Sequence, residues 1–383
     1  MIRLAEVQAL PVRTVAGLMT GTSMDGLDIG ICRIHPGDRL TFELLAFETV
    51  PIPAVLQRHL MDEASSDLGA FARLDLELGR FSADALEDVL GRHGLVVDLI
   101  GSHGQTVYHE HGVTTLQIGE PSPLAARFGC PVVSDFRRAD LAVGGCGAPL
   151  VSYVDHRLLG GRGTAILAVN IGGIANFTAL PGVDRGIGAL LGMDCGPGNM
   201  VLDRLVERHT GQAWHADIDG RLAARGTVLG HVLDELTAHP FFRQPPPKST
   251  GREQFGEAFV AALLARVQPH TERDWHDLLA TVTELTAYGI HQSYKLHVAP
   301  TMPVDEVMVS GGGARNPEIM RRLAARFAPL PVRGSDHYGL PAEAKEAIAF
   351  AVLASDRIDG RPANVPSVTG AKRPVLLGKI TEV

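Results

Sequence analysis

Short aliphatic runs, each stopped by Gly, Asn or Asp, recur along the chain between longer stretches whose apolar positions fall at helical spacing. Runs at residues 15–19, 27–32, 166–169 and 307–310 read as strands, and the alternation predicts α/β or α+β layering rather than a bundle or a sandwich. The clearest helix start follows the last of these runs. Asn316 stands where a cap is needed, Pro317 suits a first turn whose N–H would be unpaired anyway, and Ile319, Leu323 and Phe327 fall on one face. Gly160-Gly-Arg-Gly163 precedes a fresh apolar strand near the midpoint and is the expected crossing between two halves. Pro245-Pro-Pro-Lys-Ser-Thr-Gly251 reads as an exposed loop, because its prolines stop any helix. No internal repeat is visible by residue identity.

At 383 residues the chain exceeds the size at which one core keeps growing, so two lobes are expected. A net charge of −8 argues against a nucleic-acid partner, whose phosphates are bound by clustered Lys and Arg. No apolar run approaches the roughly 18 residues that span a bilayer, and Met1-Ile-Arg-Leu-Ala-Glu lacks the order of a signal peptide. A cytoplasmic protein without a membrane partner is the expectation. Cys32, Cys130, Cys146 and Cys195 lie far apart with no C-x-x-C pair, which fits reduced, buried thiols. His103, His109 and His111 crowd together, but their spacing matches neither H-E-x-x-H nor a zinc finger, so no metal centre is expected there.

Glycine, at 43 residues, exceeds its usual share of about 7%. Three segments account for the interest, each an apolar strand running into a glycine-rich turn. In Gly17-Leu-Met-Thr-Gly-Thr-Ser-Met-Asp-Gly-Leu-Asp-Ile-Gly30 the turn would offer N–H groups and the hydroxyls of Thr22 and Ser23 to phosphate oxygens. Asp25 and Asp28 would hold Mg²⁺ through water. Asn170-Ile-Gly-Gly-Ile-Ala-Asn176 places Gly172 and Gly173 in a second such turn, and Val307-Met-Val-Ser-Gly-Gly-Gly-Ala-Arg-Asn316 opens a helix after three glycines. A plain turn is the alternative for each. Walker A and G-x-G-x-x-G patterns are absent, which excludes P-loop and Rossmann nucleotide sites.

Two phosphate turns, one per half, followed by a glycine-rich adenosine turn resemble the actin, Hsp70 and sugar-kinase superfamily. The likeness narrows at Gly21-Thr-Ser-Met-Asp-Gly-Leu-Asp28, Ser102-His-Gly-Gln-Thr106, Asp135-Phe-Arg-Arg-Ala-Asp140, Asn170–Asn176, Asp194-Cys-Gly-Pro-Gly-Asn199 and Gly311-Gly-Gly-Ala-Arg-Asn316. In that order they resemble anhydro-N-acetylmuramic acid kinases. The family usually has Thr and Gln where this chain has Cys195 and Cys146.

The resemblance implies an α/β, two-lobed, actin-like (ribonuclease H-like) ATPase fold with its active site in the interlobe cleft. Residues 1–162 would form one lobe and 163–344 the other, with 345–383 returning to the first. It implies ATP and Mg²⁺ as cofactors, an anhydro amino sugar as substrate, and it leaves a homodimer open. Water would open the 1,6-anhydro bridge while the freed O6 takes the γ-phosphoryl group of ATP. Gly21, Thr22, Ser23, Met24, Asp25, Gly26, Leu27 and Asp28 would line the β- and γ-phosphates. Gly172, Gly173, Asn176, Gly311, Gly312 and Gly313 would complete the nucleotide site.

Asp194 lies between an apolar run and a helix carrying Val201, Leu202 and Leu205, and is expected beside that helix's positive end. A helix-capping Asp is the alternative from residues alone; the resemblance makes it the base that activates water. Arg137 and Arg138, with Asp135, would fork onto the sugar's lactyl carboxylate, the alternative being a solvated ion-pair run. Gln105, Thr106 and Glu120 would hydrogen-bond sugar hydroxyls or the N-acetyl group. Two rivals remain: a plain hexose, glycerol or acetate kinase using Asp to deprotonate a hydroxyl, and a nucleotide-switched module that phosphorylates nothing small.

Overall fold

The computed structural model describes residues 3–21, 24, 26–61, 67–183 and 185–383, with the backbone alone at Met61. The strands are β1 (Arg13–Thr20), β2 (Gly26–His35), β3 (Thr41–Pro51), β4 (Leu99–Ser102), β5 (Gln105–Glu110), β6 (Thr114–Ile118) and β7 (Val132–Ser134). They continue with β8 (Ile166–Ile171), β9 (Ile174–Leu180), β10 (Leu191–Pro197), β11 (Glu306–Ser310), β12 (Val332–Gly334) and β13 (Lys379–Thr381). All four aliphatic runs of the sequence are therefore strands, extended by one to four residues in all.

The chain forms two units, Met1–Leu158 with Ala344–Val383, and Leu159–Glu343. In the first, β1, β2 and β3 form an antiparallel meander, β4 adds parallel to β1, and β7 adds parallel to β4. In the second, β8, β9 and β10 form the meander, β11 adds parallel to β8, and β12 to β11. Counted within each unit, both sheets run 3-2-1-4-5, the ribonuclease H-like arrangement of actin-like ATPases. The repeat invisible to residue identity is thus present in topology. The first unit adds the β5–β6 hairpin and edge strand β13.

The returning helix Lys345–Ile358 packs on the first sheet where glycines admit it. A Cβ on Gly17 of β1 would lie 1.8 Å from the Ala347 carbonyl oxygen, and one on Gly101 of β4 would lie 2.3 Å from that of Phe350. Buried charge fixes the returning segment further. Arg13, 1% exposed, donates to Ser355 O and to Asp359, and buried Asp356 accepts from Tyr153 Oη at 2.7 Å and Arg157 Nε at 2.9 Å. Such pairs specify the docking because removing one partner would strand the other in low dielectric.

In the second unit the helix Glu272–His297 lies between two apolar clusters. Ala287, Ile290 and Tyr294 pack with Phe177, Met193 and Val309 of the sheet, whereas Leu278, Val282 and Leu285 pack with Val201, Leu202, Phe241 and Phe255. The helix Pro317–Phe327 starts as its sequence dictates: Asn316 Oδ1 accepts from Glu318 N and Ile319 N, and Ile319, Leu323 and Phe327 are buried. Among the described residues no helix is long and apolar enough to cross a membrane.

Candidate active site

In the second unit, register builds a polar row at one level of the sheet. Ser310 of β11 pairs with Asn170 of β8, Asn170 with Asn176 of β9, and Asn176 with Asp194 of β10. Residues opposite one another share a face, so these four side chains stand side by side. The row before it, Val309, Val169, Phe177 and Met193, is buried on the other face. A bulge between Asp194 and Gly196 leaves Cys195 as the extra residue; it is 0% exposed and sits in the core with Phe177 and Ile290. The Cys195 thiol therefore lies among apolar side chains, and burial raises its pKa.

Asp194 lies within β10 rather than before a helix. The helix Asn199–Thr210 starts after Gly198, whose N-terminal N–H groups turn to backbone carbonyls instead: Asn199 N donates to Gly172 O at 2.8 Å, and Met200 N to Gly173 O at 3.1 Å. The carboxylate is held by the distant Pro-rich loop. Thr250 N donates to Asp194 Oδ2 at 2.9 Å, and Asp194 N donates to Lys248 O. Burial raises the carboxyl from its ordinary 3.8 to about 6, against the opposing pulls of the Thr250 N–H and the Lys248 ammonium.

The segment expected as an exposed loop is thus a structural wall at Lys248, which is 6% exposed and donates to Phe241 O and Ser293 Oγ, both at 3.2 Å. Its ammonium also lies 4.4 Å from the centre of the Phe241 ring. No local pattern in the sequence marks Lys248 or Thr250 as neighbours of Asp194.

The two glycine turns of this unit meet. A Cβ on Gly311, whose φ is +79°, would lie 2.7 Å from Asn170 Oδ1 and Ile171 O, and one on Gly313 would lie 2.3 Å from Ile171 Cγ2. Gly172 and Gly173 form the β8–β9 turn itself, and Gly312 lies beside Asn199. Here glycine serves first to let one turn lie against the strand end beside it.

In the first unit, β1 and β2 form the expected hairpin, with Thr20 opposite Leu27 and Gly26 opening β2. Gly21 and Met24 lie in its turn, where Gly21 O accepts from Met24 N and Met24 has a φ of +54°. Thr22, Ser23 and Asp25 lie outside the described residues. Asp28, third in β2, accepts from Thr49 Oγ1 at 2.6 Å; the pKa of half-buried Glu346 is raised by desolvation, against the pull of Arg137, with the Asp28 charge adding to the rise.

Arg137 and Arg138 part company. Arg137 is drawn inward, donating to His103 Nε2 at 3.0 Å and to Gly147 O at 2.9 Å, and burial brings its pKa down to about 10. His103 is 3% exposed; burial, then the Arg137 charge, holds it well below the usual imidazole range. Its Nδ1 faces Gly104 O at 2.8 Å, so the neutral ring carries its proton there and offers Nε2 to Arg137. Arg138 is exposed, 3.4 Å from Asp135 Oδ2, and donates to Thr115 O. Asp135 Oδ2 also meets Lys379 at 2.7 Å, whereas its buried Oδ1 has no partner.

Gln105 is 1% exposed with an unpartnered Oε1, and Thr106 Oγ1 accepts from Gln117. Glu120 caps the short helix that follows, accepting from Ser122 N at 3.0 Å. Sequence reasoning gave no role to Asp140, which is fully buried and accepts from Gly147 N, Asn364 Nδ2 and Thr369 Oγ1 at 2.7–2.8 Å. It ties the Gly144–Gly147 turn, and with it the carbonyl that receives Arg137. Cys146 lies in that turn, its Sγ 2.9 Å from His111 Nε2.

The family model for anhydro-N-acetylmuramic acid kinase matches residues 13–383. Proteins of that name in Caldanaerobacter subterraneus and Salinibacter ruber are 40% and 43% identical to this chain, over 100% and 96% of both partners. One from Bacillus cereus is 39% identical over 96% of this chain and 98% of its own. Likeness at this level extends over nearly the whole length of the chain, and the chain belongs to the anhydro-N-acetylmuramic acid kinase family.

Proposed function

We propose that the protein is a cytoplasmic ATP-dependent kinase that converts 1,6-anhydro-N-acetylmuramic acid and water to N-acetylmuramic acid 6-phosphate, releasing ADP, in the recycling of cell-wall peptidoglycan. The observation that carries this reading is Asp194: a carboxylate on a polar row, aimed by one backbone N–H, with a pKa of about 6. A base poised near neutrality is what a weak nucleophile such as water requires.

Water attacks C1 of the sugar and its proton passes to Asp194. The C1–O6 bond breaks, O6 takes the γ-phosphoryl group, and the bond from γ-phosphorus to the ADP oxygen breaks. Phosphoryl transfer itself asks for alignment and charge neutralisation rather than covalent help. Gly21, Met24, Gly26 and Leu27, with Thr22, Ser23 and Asp25, are assigned to the β- and γ-phosphates. Gly172, Gly173 and Asn176 are assigned to the phosphates from the second unit, and Gly311, Gly312 and Gly313 to the adenosine. The carboxylates of Asp28 and Glu346 are hard oxygen donors that suit Mg²⁺, which Asp28 and Asp25 would hold through water to neutralise phosphate charge.

Arg137, pre-aimed by His103 and Gly147, is assigned with Arg138 and Asp135 to the lactyl group, and Gln105, Thr106 and Glu120 to the remaining polar groups of the sugar. Losing a charged hydrogen bond to a carboxylate costs about 1.5–3 kcal/mol. Arg137→Ala should therefore raise KM for the anhydro sugar at least tenfold while changing KM for ATP far less. Equal changes in both would count against carboxylate recognition.

Turnover in ¹⁸O-labelled water tests the reaction. Label at C1 of the product sugar phosphate is expected; unlabelled product would assign the chain to plain phosphoryl transfer onto an existing hydroxyl.

A further inference from the structure

We propose that His209, Glu272 and His276 form a zinc-class divalent cation site in the second unit, separate in chemistry from the hard-oxygen Mg²⁺ of the nucleotide. Among the described residues this is the one group of three or more His, Cys, Asp or Glu side chains whose ligating atoms converge, all within 4.8 Å of one another.

His209 ends the helix Asn199–Thr210, and Glu272 and His276 stand one turn apart at the start of Glu272–His297. Glu272 Oε2 lies 3.3 Å from His209 Nε2 and 3.8 Å from His276 Nε2. Bonds of about 2.0–2.1 Å in a tetrahedral zinc site put neighbouring ligand atoms roughly 3.3 Å apart, so one separation already fits. Glu272, with its side chain 78% exposed, has room to adjust its separation from His276, and the two imidazole nitrogens lie within 4.8 Å of each other.

An independent observation is the state of His276. It is 9% exposed, and its Nε2 is buried without a hydrogen-bond partner although it points at the other two ligands. Buried polar atoms are seldom left unpaired, and a metal bond would satisfy this one.

The frame is rigid. His209 stacks on Trp275 with ring centres 5.1 Å apart, and a reciprocal cap between Thr271 and Asp274 anchors the helix end that bears Glu272. Two imidazoles and one carboxylate match the borderline-soft preference of zinc, with water as the fourth ligand.

The test titrates Zn²⁺ into the chelator-treated full chain by calorimetry, with Co²⁺ absorption as a probe of tetrahedral imidazole coordination. One saturable equivalent per chain is expected. Glu272→Gln, at an exposed position that should not disturb folding, and His276→Asn should each weaken it at least tenfold and remove the cobalt band. Cys146→Ser should leave binding unchanged. The proposal is overturned if the wild type takes up no stoichiometric zinc, if Glu272→Gln or His276→Asn binds like the wild type, or if Cys146→Ser abolishes binding.

Discussion

Asp194→Asn should lower kcat by about 10³-fold or more, the upper range for loss of a positioned base, with ATP affinity nearly unchanged. Asn keeps an oxygen for the Thr250 N–H, so the side chain should stay in place while losing the ability to take a proton. In the wild type, kcat/KM should fall tenfold per unit below the carboxyl's pKa of about 6 and level off above it, and the variant should lose that limb.

Stability should move the other way. Because the folded-state pKa lies above the ordinary 3.8, the folded protein holds more protons at Asp194 between 3.8 and about 6, and stability declines as pH rises through that window. Above it the buried charge costs about 3 kcal/mol, which the neutral amide avoids. The variant should therefore melt higher than the wild type at pH 8 and show no such gain at pH 4. Normal turnover in Asp194→Asn would remove the residue from the mechanism, and a lower melting temperature at pH 8 would show that the substitution acts through folding.

Gly17→Ala should destabilise the first unit by about 3 kcal/mol or more, since overpacking a well-filled core typically costs about 1–3. Here the added methyl would sit 1.8 Å from the Ala347 carbonyl oxygen and 2.7 Å from Ala351 N. Backbone atoms of a packed helix do not swing aside as a side-chain tip does. Gly91→Ala is the control: it lies in the helix Leu68–His93, where an added methyl meets nothing within 4 Å, and it should stabilise by about 0.4–1 kcal/mol. Urea unfolding of the three proteins checks both, and a Gly17→Ala midpoint equal to the wild type would mean that helix and sheet separate at little cost.

The strands at 15–19, 27–32, 166–169 and 307–310 and the helix capped by Asn316 were legible because their causes are local. Apolar period, capping oxygen and turn glycine act within a few residues along the chain. Asp194 was legible as a candidate, but its setting was misread as a helix end. The bulge that turns Cys195 into the core, and the N–H groups of the next helix turning to Gly172 and Gly173, depend on which strand lies alongside.

Other determinants were silent for the same reason. Thr250 stands 56 residues from the carboxylate it holds, Asp140 is 224 from Asn364, and His209 is separated from Glu272 and His276 by several elements. The shared 3-2-1-4-5 order of the two sheets left no trace in residue identity, because topology is conserved by which strands pair rather than by which aliphatic residue fills each place.

Sequence by itself determined the periodic elements, the family motifs and Asp194 as a candidate acid, since these rest on short-range hydrogen bonding and residue chemistry. Tertiary structure alone decided that this acid is desolvated to a pKa near 6, that Arg137 turns inward while Arg138 stays in water, and that Lys248 is a buried wall. Desolvation and charge interactions depend on distance in space, and only the folded sheet brings those distant residues within a few ångströms of one another.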